Sequence, residues 1–383
     1  MTTQIVLVAG EASGDRLGAA LIQSLRAVLP DCDFSGIGGP MMADEGMDCW
    51  YPASDLALMG FAEVVGELPR LLRLRRQFIR RVLSRPPACY IGIDAPDFNL
   101  GVEKRLKRAG ITTIQYVSPS VWAWRRGRAR KIGRSADLVL TLFPFEPAIY
   151  REFDVDARFV GHPTADQIPL HPDKPALRQQ LGLAGSGTTV AVLPGSRMGE
   201  IRRLGQIFLD ACQIMSREMP DLRFVSPCAS EATRLEFQRM VDATGEVDMQ
   251  LLDGRSLECL GAADAALLAS GTAALEALLC KTPMVVSYRI SPITHWIVHT
   301  FGLMKVERYS LPNALADSPL VPEVMQKQAT PENLATEMLT LLRSEDRQNH
   351  MLQQFTLIHQ QLKQDASRAA AAAVAELLSR GNR

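Results

Sequence analysis

What this chain lacks narrows its function early. Its seven cysteines (Cys32, Cys49, Cys89, Cys212, Cys228, Cys259 and Cys280) are scattered singly, with no CxxC pair. That scatter argues against a zinc site or a disulfide framework and fits packed, reduced thiols in a cytosolic protein. Lys plus Arg and Asp plus Glu both number 42, so the net charge is zero and there is no global case for nucleic acid or an acidic partner. No charge-free apolar run approaches the ~18 residues of a membrane span. The chain enters a strand at Gln4–Ala9 with no basic leader or cleavage signal, so no signal peptide is expected. The loop after the first strand lacks GxGxxG, which speaks against a dinucleotide, and no DxD pair in an appropriate loop suggests a divalent metal. Neither cofactor nor metal is therefore expected.

What is present is a repeated alternation of apolar strand and helix. At 383 residues the chain exceeds one compact core, so two domains are expected. Ile5–Ala9 runs into Gly10-Glu11-Ala12-Ser13-Gly14-Asp15, followed by a helical pattern over Leu17–Leu29. The loop's carboxylates would repel a phosphate but suit sugar hydroxyls, and Asp15 reads equally well as a helix cap. Tyr90–Ile93 is a buried strand ending in Asp94-Ala95-Pro96-Asp97-Phe98-Asn99. In open α/β sheets ligands lie outside the carboxyl ends of the strands, so Asp94 stands where a catalytic carboxylate belongs, with Asp97 and Asn99 beside it. Turn-rich sequence from His162 to about Pro175 reads as the connection to a second domain.

The second half restarts the pattern. Thr188–Leu193 is a strand ending in Pro194-Gly195-Ser196-Arg197, a tight turn with an arginine suited to a diphosphate. Leu267–Ala269 leads through Ser270-Gly271-Thr272 into the helix-forming Ala273–Cys280. A bare helix N-terminus binds phosphate through unpaired N–H groups and the helix dipole. Glu276 lies one turn further on, within reach of a ribose hydroxyl. Ser270 as a simple N-cap and Glu276 as a dipole partner remain the competing reading.

The segment Leu56–Val82 carries leucines at helical spacing among Arg70, Arg73, Arg75, Arg76, Arg80 and Arg81, with Leu74 and Phe78 spilling beyond one stripe. Two readings stand side by side: a core-facing helix with a solvated basic face, or an apolar band edged by arginines that meets an anionic membrane. Phe61, Leu68 and Leu72 are the membrane-contact candidates of the second. Trp122 and Trp124 beside Arg125–Arg134 would suit single-stranded nucleic acid, but no further aromatic or basic groove supports it. No nucleic-acid partner is expected.

Together these features describe an enzyme that holds a sugar nucleotide at one domain and supplies a base from the other. Here a resemblance can be stated. GEASGD at 10–15, IDAPDFN at 93–99, YVSPSVWAW at 116–124, GHP at 161–163, LPGSR at 193–197 and SGTAALE at 270–276 resemble the lipid-A-disaccharide synthase family. The resemblance implies an α/β fold of two Rossmann-like parallel-sheet domains facing across a cleft (GT-B), with C-terminal helices crossing back to the first. Residues 1–165 would be the acceptor and membrane-facing domain, 176–345 the UDP-sugar domain, and 346–383 the returning helices. It implies an inverting transfer from UDP-2,3-diacylglucosamine to 2,3-diacylglucosamine 1-phosphate, giving the β-1,6 disaccharide 1-phosphate and UDP. Asp94 would be the base and Glu11 the second choice. Arg197, Gly195, Ser196, Ser270, Gly271 and Thr272 would take the diphosphate, Glu276 the ribose and Asn313 the nucleotide. Ser13, Asp97 and Asn99 would lie on the acceptor side. Lipid substrates imply a peripheral position on the cytoplasmic face of the inner membrane. Alternatives are another GT-B UDP-sugar enzyme, either an N-acetylglucosaminyltransferase or a UDP-sugar epimerase, or a non-catalytic lipid or nucleotide carrier.

Overall fold

The computed structural model describes residues 2–56, 61–119, 128–183, 185, 187–245, 247–289 and 309–381, with backbone alone at 61–68, 128 and 381. Contacts divide the chain into two units, Met1–Asp166 with Leu362–Arg383, and Gln167–Gln361.

Unit 1 is built on β1 (Thr3–Ala9), β2 (Cys32–Gly38), β3 (Asp48–Pro52), β4 (Cys89–Ile93), β5 (Thr112–Tyr116), β6 (Leu138–Thr141) and β7 (Ala157–Phe159). The sheet order is β3-β2-β1-β4-β5-β6-β7, and its ladders are parallel. Parallel strands carry helices on both faces, which is why β1 and β4 read as unbroken apolar runs; Ile5, Val6, Leu7 and Val8 are fully buried. The sequence pattern did not reveal β2, whose CDFSGIG is polar and glycine-rich. Gly36 there has φ 145°, and a Cβ would sit 1.9 Å from the Leu7 carbonyl oxygen, so only glycine lets β2 lie against β1. Among the described residues the intervening helices are α1 (Ala12–Val28), α2 (Pro40–Asp44), α3 (Phe61–Ser84), α4 (Pro96–Arg108), α5 (Arg128–Gly133) and α6 (Glu146–Arg151), before α7 (Pro163–Gln167) leaves the sheet.

The structure corrects the reading of α3. Leu74 and Phe78 are not apolar surplus: with Val82 they form a four-residue-spaced buried stripe, in which Phe78 and Val82 share a core cluster with Tyr90 and Phe98. The arginines Arg73, Arg76, Arg80 and Arg81 are exposed on the other side, and Arg81 lies 4.3 Å over the Trp50 ring. Over residues 74–82 this is a core-facing helix with a basic outer face. Leu72 is half-buried, while the Phe61 and Leu68 side chains lie outside the described residues.

Unit 2 has β8 (Thr189–Leu193), β9 (Arg223–Cys228), β10 (Met249–Asp253), β11 (Ala265–Ala269), β12 (Met284–Tyr288) and β13 (Glu323–Met325), in the parallel order β10-β9-β8-β11-β12-β13. Its helices are α8 (Lys174–Gln180), α9 (Met198–Glu218), α10 (Glu231–Thr244), α11 (Ser256–Ala262), α12 (Thr272–Leu279), α13 (Leu311–Leu315), α14 (Pro331–Arg343) and α15 (Glu345–Leu362).

The last helix, α16 (Ala366–Gly381), belongs to unit 1: Ala370, Ala371, Ala373 and Val374 enter the core with Ile5, Leu7 and Leu21. Asp166 caps it, its carboxylate accepting from Asp365 N at 2.9 Å and Ala366 N at 2.7 Å. Nearly all of α15 lies in unit 2, up to Gln361, so the returning segment starts at Leu362 rather than at 346.

Candidate active site

In each sheet the strand order reverses once, between β1 and β4 in unit 1 and between β8 and β11 in unit 2. Loops leave such a switch point in opposite directions and open a crevice at the strand carboxyl ends. The loops there are Gly10–Glu11 and Asp94–Ala95 in unit 1, and Pro194–Arg197 and Ser270–Gly271 in unit 2. Four of the sequence motifs therefore fall at the two topologically favoured positions.

In unit 1, Asp94 and Ala95 have φ 48° and 36°, a left-handed backbone just ahead of α4. Asp94 is half-buried; its Oδ1 accepts from Gly10 N at 3.3 Å, and its buried Oδ2 has no hydrogen-bond partner among the described residues. Burial pushes its pKa up from 3.8 to about 7, against the Gly10 hydrogen bond that lowers it and with the charge of Glu11 that raises it. Gly14 makes the space: a Cβ there would lie 2.2 Å from Oδ2. Glu11 and Ser13 are exposed at the start of α1, and Asp97 is exposed on the first turn of α4.

Two unit 1 residues do something other than expected. Asn99 is fully buried and braces the loop from inside, accepting from Tyr90 Oη at 2.7 Å and donating to Asp94 O at 2.9 Å. It is not exposed to an acceptor. Asp15 is a cap, but of α2: its carboxylate accepts from Gly39 N at 2.8 Å, Met41 N at 3.0 Å and Met42 N at 3.1 Å. Sequence spacing suggests only the local cap, because residues 39–42 reach Asp15 through the β1–β2 pairing.

In unit 2, α12 starts without a side-chain cap, and a Cβ on Gly271 would meet nothing within 4 Å among the described residues. Its first-turn N–H groups face an open approach at the end of β11. Ser270 Oγ donates to Tyr309 O at 3.2 Å, so it fixes the turn rather than capping α12. Glu276 is half-buried, its Oε2 accepting from Ser256 Oγ at 2.9 Å, and burial raises its pKa. The Gly195 turn differs from the simple phosphate cradle: Glu200 Oε2 already accepts from Ser196 N at 2.9 Å and Arg197 N at 3.2 Å. What this turn offers an anion is the Arg197 side chain, 84% exposed. Asn313 is corrected outright. It is 3% exposed, donates to Val321 O and Glu323 Oε1 at 2.9 and 2.7 Å, and accepts from Leu320 N and Val321 N. Its carboxamide is committed to holding the approach to β13.

Two doubly wound units of this kind, with their motif loops at the switch points, define the GT-B class of glycosyltransferases. Solved structures with the fold include a UDP-N-acetylglucosamine 2-epimerase from Neisseria meningitidis (TM-score 0.66, 11% identity, covering 98% of this chain and 100% of that one). The glycosyltransferase of kitacinnamycin has it too (TM-score 0.61, 16% identity, 98% and 99% covered). At those identities the likeness is one of fold alone. Residues 5–377 match the model of the family described as lipid-A-disaccharide synthetase. The chain is 52% identical over 379 residues to the lipid-A-disaccharide synthase of Azotobacter vinelandii, covering 98% of each. It is 51% identical over 377 residues to that of Pseudomonas aeruginosa, again 98% of each. The chain belongs to the lipid-A-disaccharide synthase family and is a glycosyltransferase.

Proposed function

We propose that this enzyme transfers the diacylglucosaminyl group of UDP-2,3-diacylglucosamine to the 6-hydroxyl of 2,3-diacylglucosamine 1-phosphate, with inversion, releasing UDP. Asp94 carries the reading. A carboxylate pushed to about 7 at a switch point is matched to taking a proton near neutral pH, where a base at the ordinary carboxylate value would be too weak. Asp94 takes the hydroxyl proton as that oxygen attacks the anomeric carbon and the bond to the UDP oxygen breaks. The neighbouring Glu11 raises the Asp94 pKa further and so favours the protonated product form of Asp94.

The donor diphosphate rests on Arg197 and on the N-terminus of α12 at Ser270, Gly271 and Thr272, with Gly195 and Ser196 shaping the turn. The arginine fork and the helix dipole stabilise the charge that develops on the leaving group. Glu276 takes the ribose. Ser13 and Asp97, both exposed, are the acceptor contacts. Acylated substrates place the enzyme at the cytoplasmic face of the inner membrane. Among the described residues no helix is long and apolar enough to cross one, and the arginine face of α3 suits an anionic surface.

The test supplies both acylated substrates to purified protein in detergent with EDTA and follows UDP and disaccharide, for wild type and Asp94→Ala. Disaccharide from wild type, lost by about 10³-fold or more in a folded Asp94→Ala, supports the reading. Equal turnover by both moves the base to Glu11; turnover of UDP-N-acetylglucosamine instead of the acylated donor refutes the substrate.

A further inference from the structure

Adjacent strands β4 and β5 both end in strain. Asp94 and Ala95 after β4, and Val117 after β5 (φ 72°), are non-glycine residues in the left-handed region. That backbone costs about 1–2 kcal/mol per residue, and a β-branched Val117 is an outlier there, so something must hold it. Asp94 N donates to Tyr116 O at 3.1 Å and Val117 N to Leu140 O at 3.1 Å. One fully buried side chain touches both turns. Gln115 Nε2 donates to Asp94 O at 3.4 Å, to Tyr116 O at 3.2 Å and to Val117 O at 3.2 Å. All three partners are carbonyl oxygens, so the amide nitrogen is what faces them.

Gln115 shares its face of the sheet with Glu103 of α4. It pairs in register with Gly92, so both point to the same face of the sheet, and a Cβ on Gly92 would lie 2.5 Å from Glu103 Oε1. Glu103 is fully buried on α4, and neither of its oxygens nor Gln115 Oε1 has a partner among the described residues. Three buried acceptors without a donor are costly. A proton on Glu103 converts one acceptor into a donor and removes the buried charge.

We infer that Gln115 and Glu103 are positioning residues for Asp94: Gln115 ties the two left-handed strand ends together, and Glu103, as a neutral acid, supports the orientation of its amide from the helix side. The inference rests on Asp94 being the base. The amide fixes Asp94 through its main-chain carbonyl and not through its carboxylate. Asn99 supplies a second grip on the same carbonyl, at 2.9 Å.

The experiment uses the full chain in the two-substrate detergent assay with Gln115→Met, Glu103→Leu, Glu103→Gln and Asp94→Ala. Gln115→Met keeps the length and removes the donor. It is expected to lower kcat about 10–100-fold, the scale of a ~1 Å misplacement, with both KM values within about twofold. The acidic limb of its pH profile moves from near 7 toward the ordinary carboxylate range as the released turn lets water reach Asp94. Glu103→Leu reproduces the loss, and Glu103→Gln, which keeps a neutral donor, restores kcat to within about threefold. Should Gln115→Met fail to fold, the Glu103 pair carries the test. A folded Gln115→Met with unchanged kcat and limb, or a Glu103→Gln no better than Glu103→Leu, overturns the inference while an inactive Asp94→Ala leaves the base reading standing. An active Asp94→Ala overturns both.

Discussion

Replacing Asp94 with asparagine should make the enzyme inactive and, above neutral pH, more stable. The carboxamide oxygen can still accept from Gly10 N, so the loop's anchor is kept. What disappears is a charge that the folded state resists, since burial raises the pKa from 3.8 to about 7. A group whose folded pKa is raised is neutral without penalty below its unfolded value and loses stability progressively as pH climbs to the folded value. A rise of that size corresponds to about 4 kcal/mol at most, reduced because Asp94 is half-buried and partly solvated. The substitution also places an amide where the unpartnered Oδ2 lies, a cost of about 1–3 kcal/mol that does not vary with pH. The difference between two pH values cancels that cost. Between about pH 5 and pH 8 the advantage of Asp94→Asn over wild type should grow by about 2–3 kcal/mol. Urea unfolding followed by circular dichroism at the two pH values measures it. A stability difference that is flat between the two pH values would refute the tuned carboxylate, whatever the activity of the variant.

Two further substitutions separate binding from support. Arg197→Ala should leave the stability within about 0.5 kcal/mol of wild type, since the side chain is 84% exposed, yet lower kcat/KM for the UDP-sugar about 10²-fold by removing a charge-assisted pair to the diphosphate. Unchanged kcat/KM moves the diphosphate away from this turn. Gly14→Ala puts a methyl 2.2 Å from Asp94 Oδ2 and should lower kcat at least about 10²-fold in a protein that still folds, read by circular dichroism beside the disaccharide assay. Retained turnover there would mean Asp94 is free to move aside and is not held by this loop.

Much of this protein is written locally. Apolar runs such as Ile5–Ala9 and Ala265–Ala269, each closed by a small-residue turn, declare parallel strands because both faces of such strands are buried. The strand-end position of Asp94 was legible because the apolar run Tyr90–Ile93 ends just before it. β2, β3 and β13 were not legible: CDFSGIG, DCWYP and EVM carry too few apolar residues to announce a strand, and their neighbours make them strands. The roles that depend on partners distant in sequence were also hidden. Asp15 caps a helix whose first turn begins at Pro40, Asn313 is locked by residues 320–323, and Leu74 and Phe78 become core, Phe78 against Tyr90 and Phe98. Gln115 gave one faint signal, an amide inside an apolar strand, and nothing in its neighbours said that it would join two strained turns. Local chemistry thus determined which residues can bind and react. Tertiary structure alone decided which of them are exposed to substrate and which spend their hydrogen bonds holding others in place, because burial and pairing are set by chain segments that sequence spacing cannot bring together.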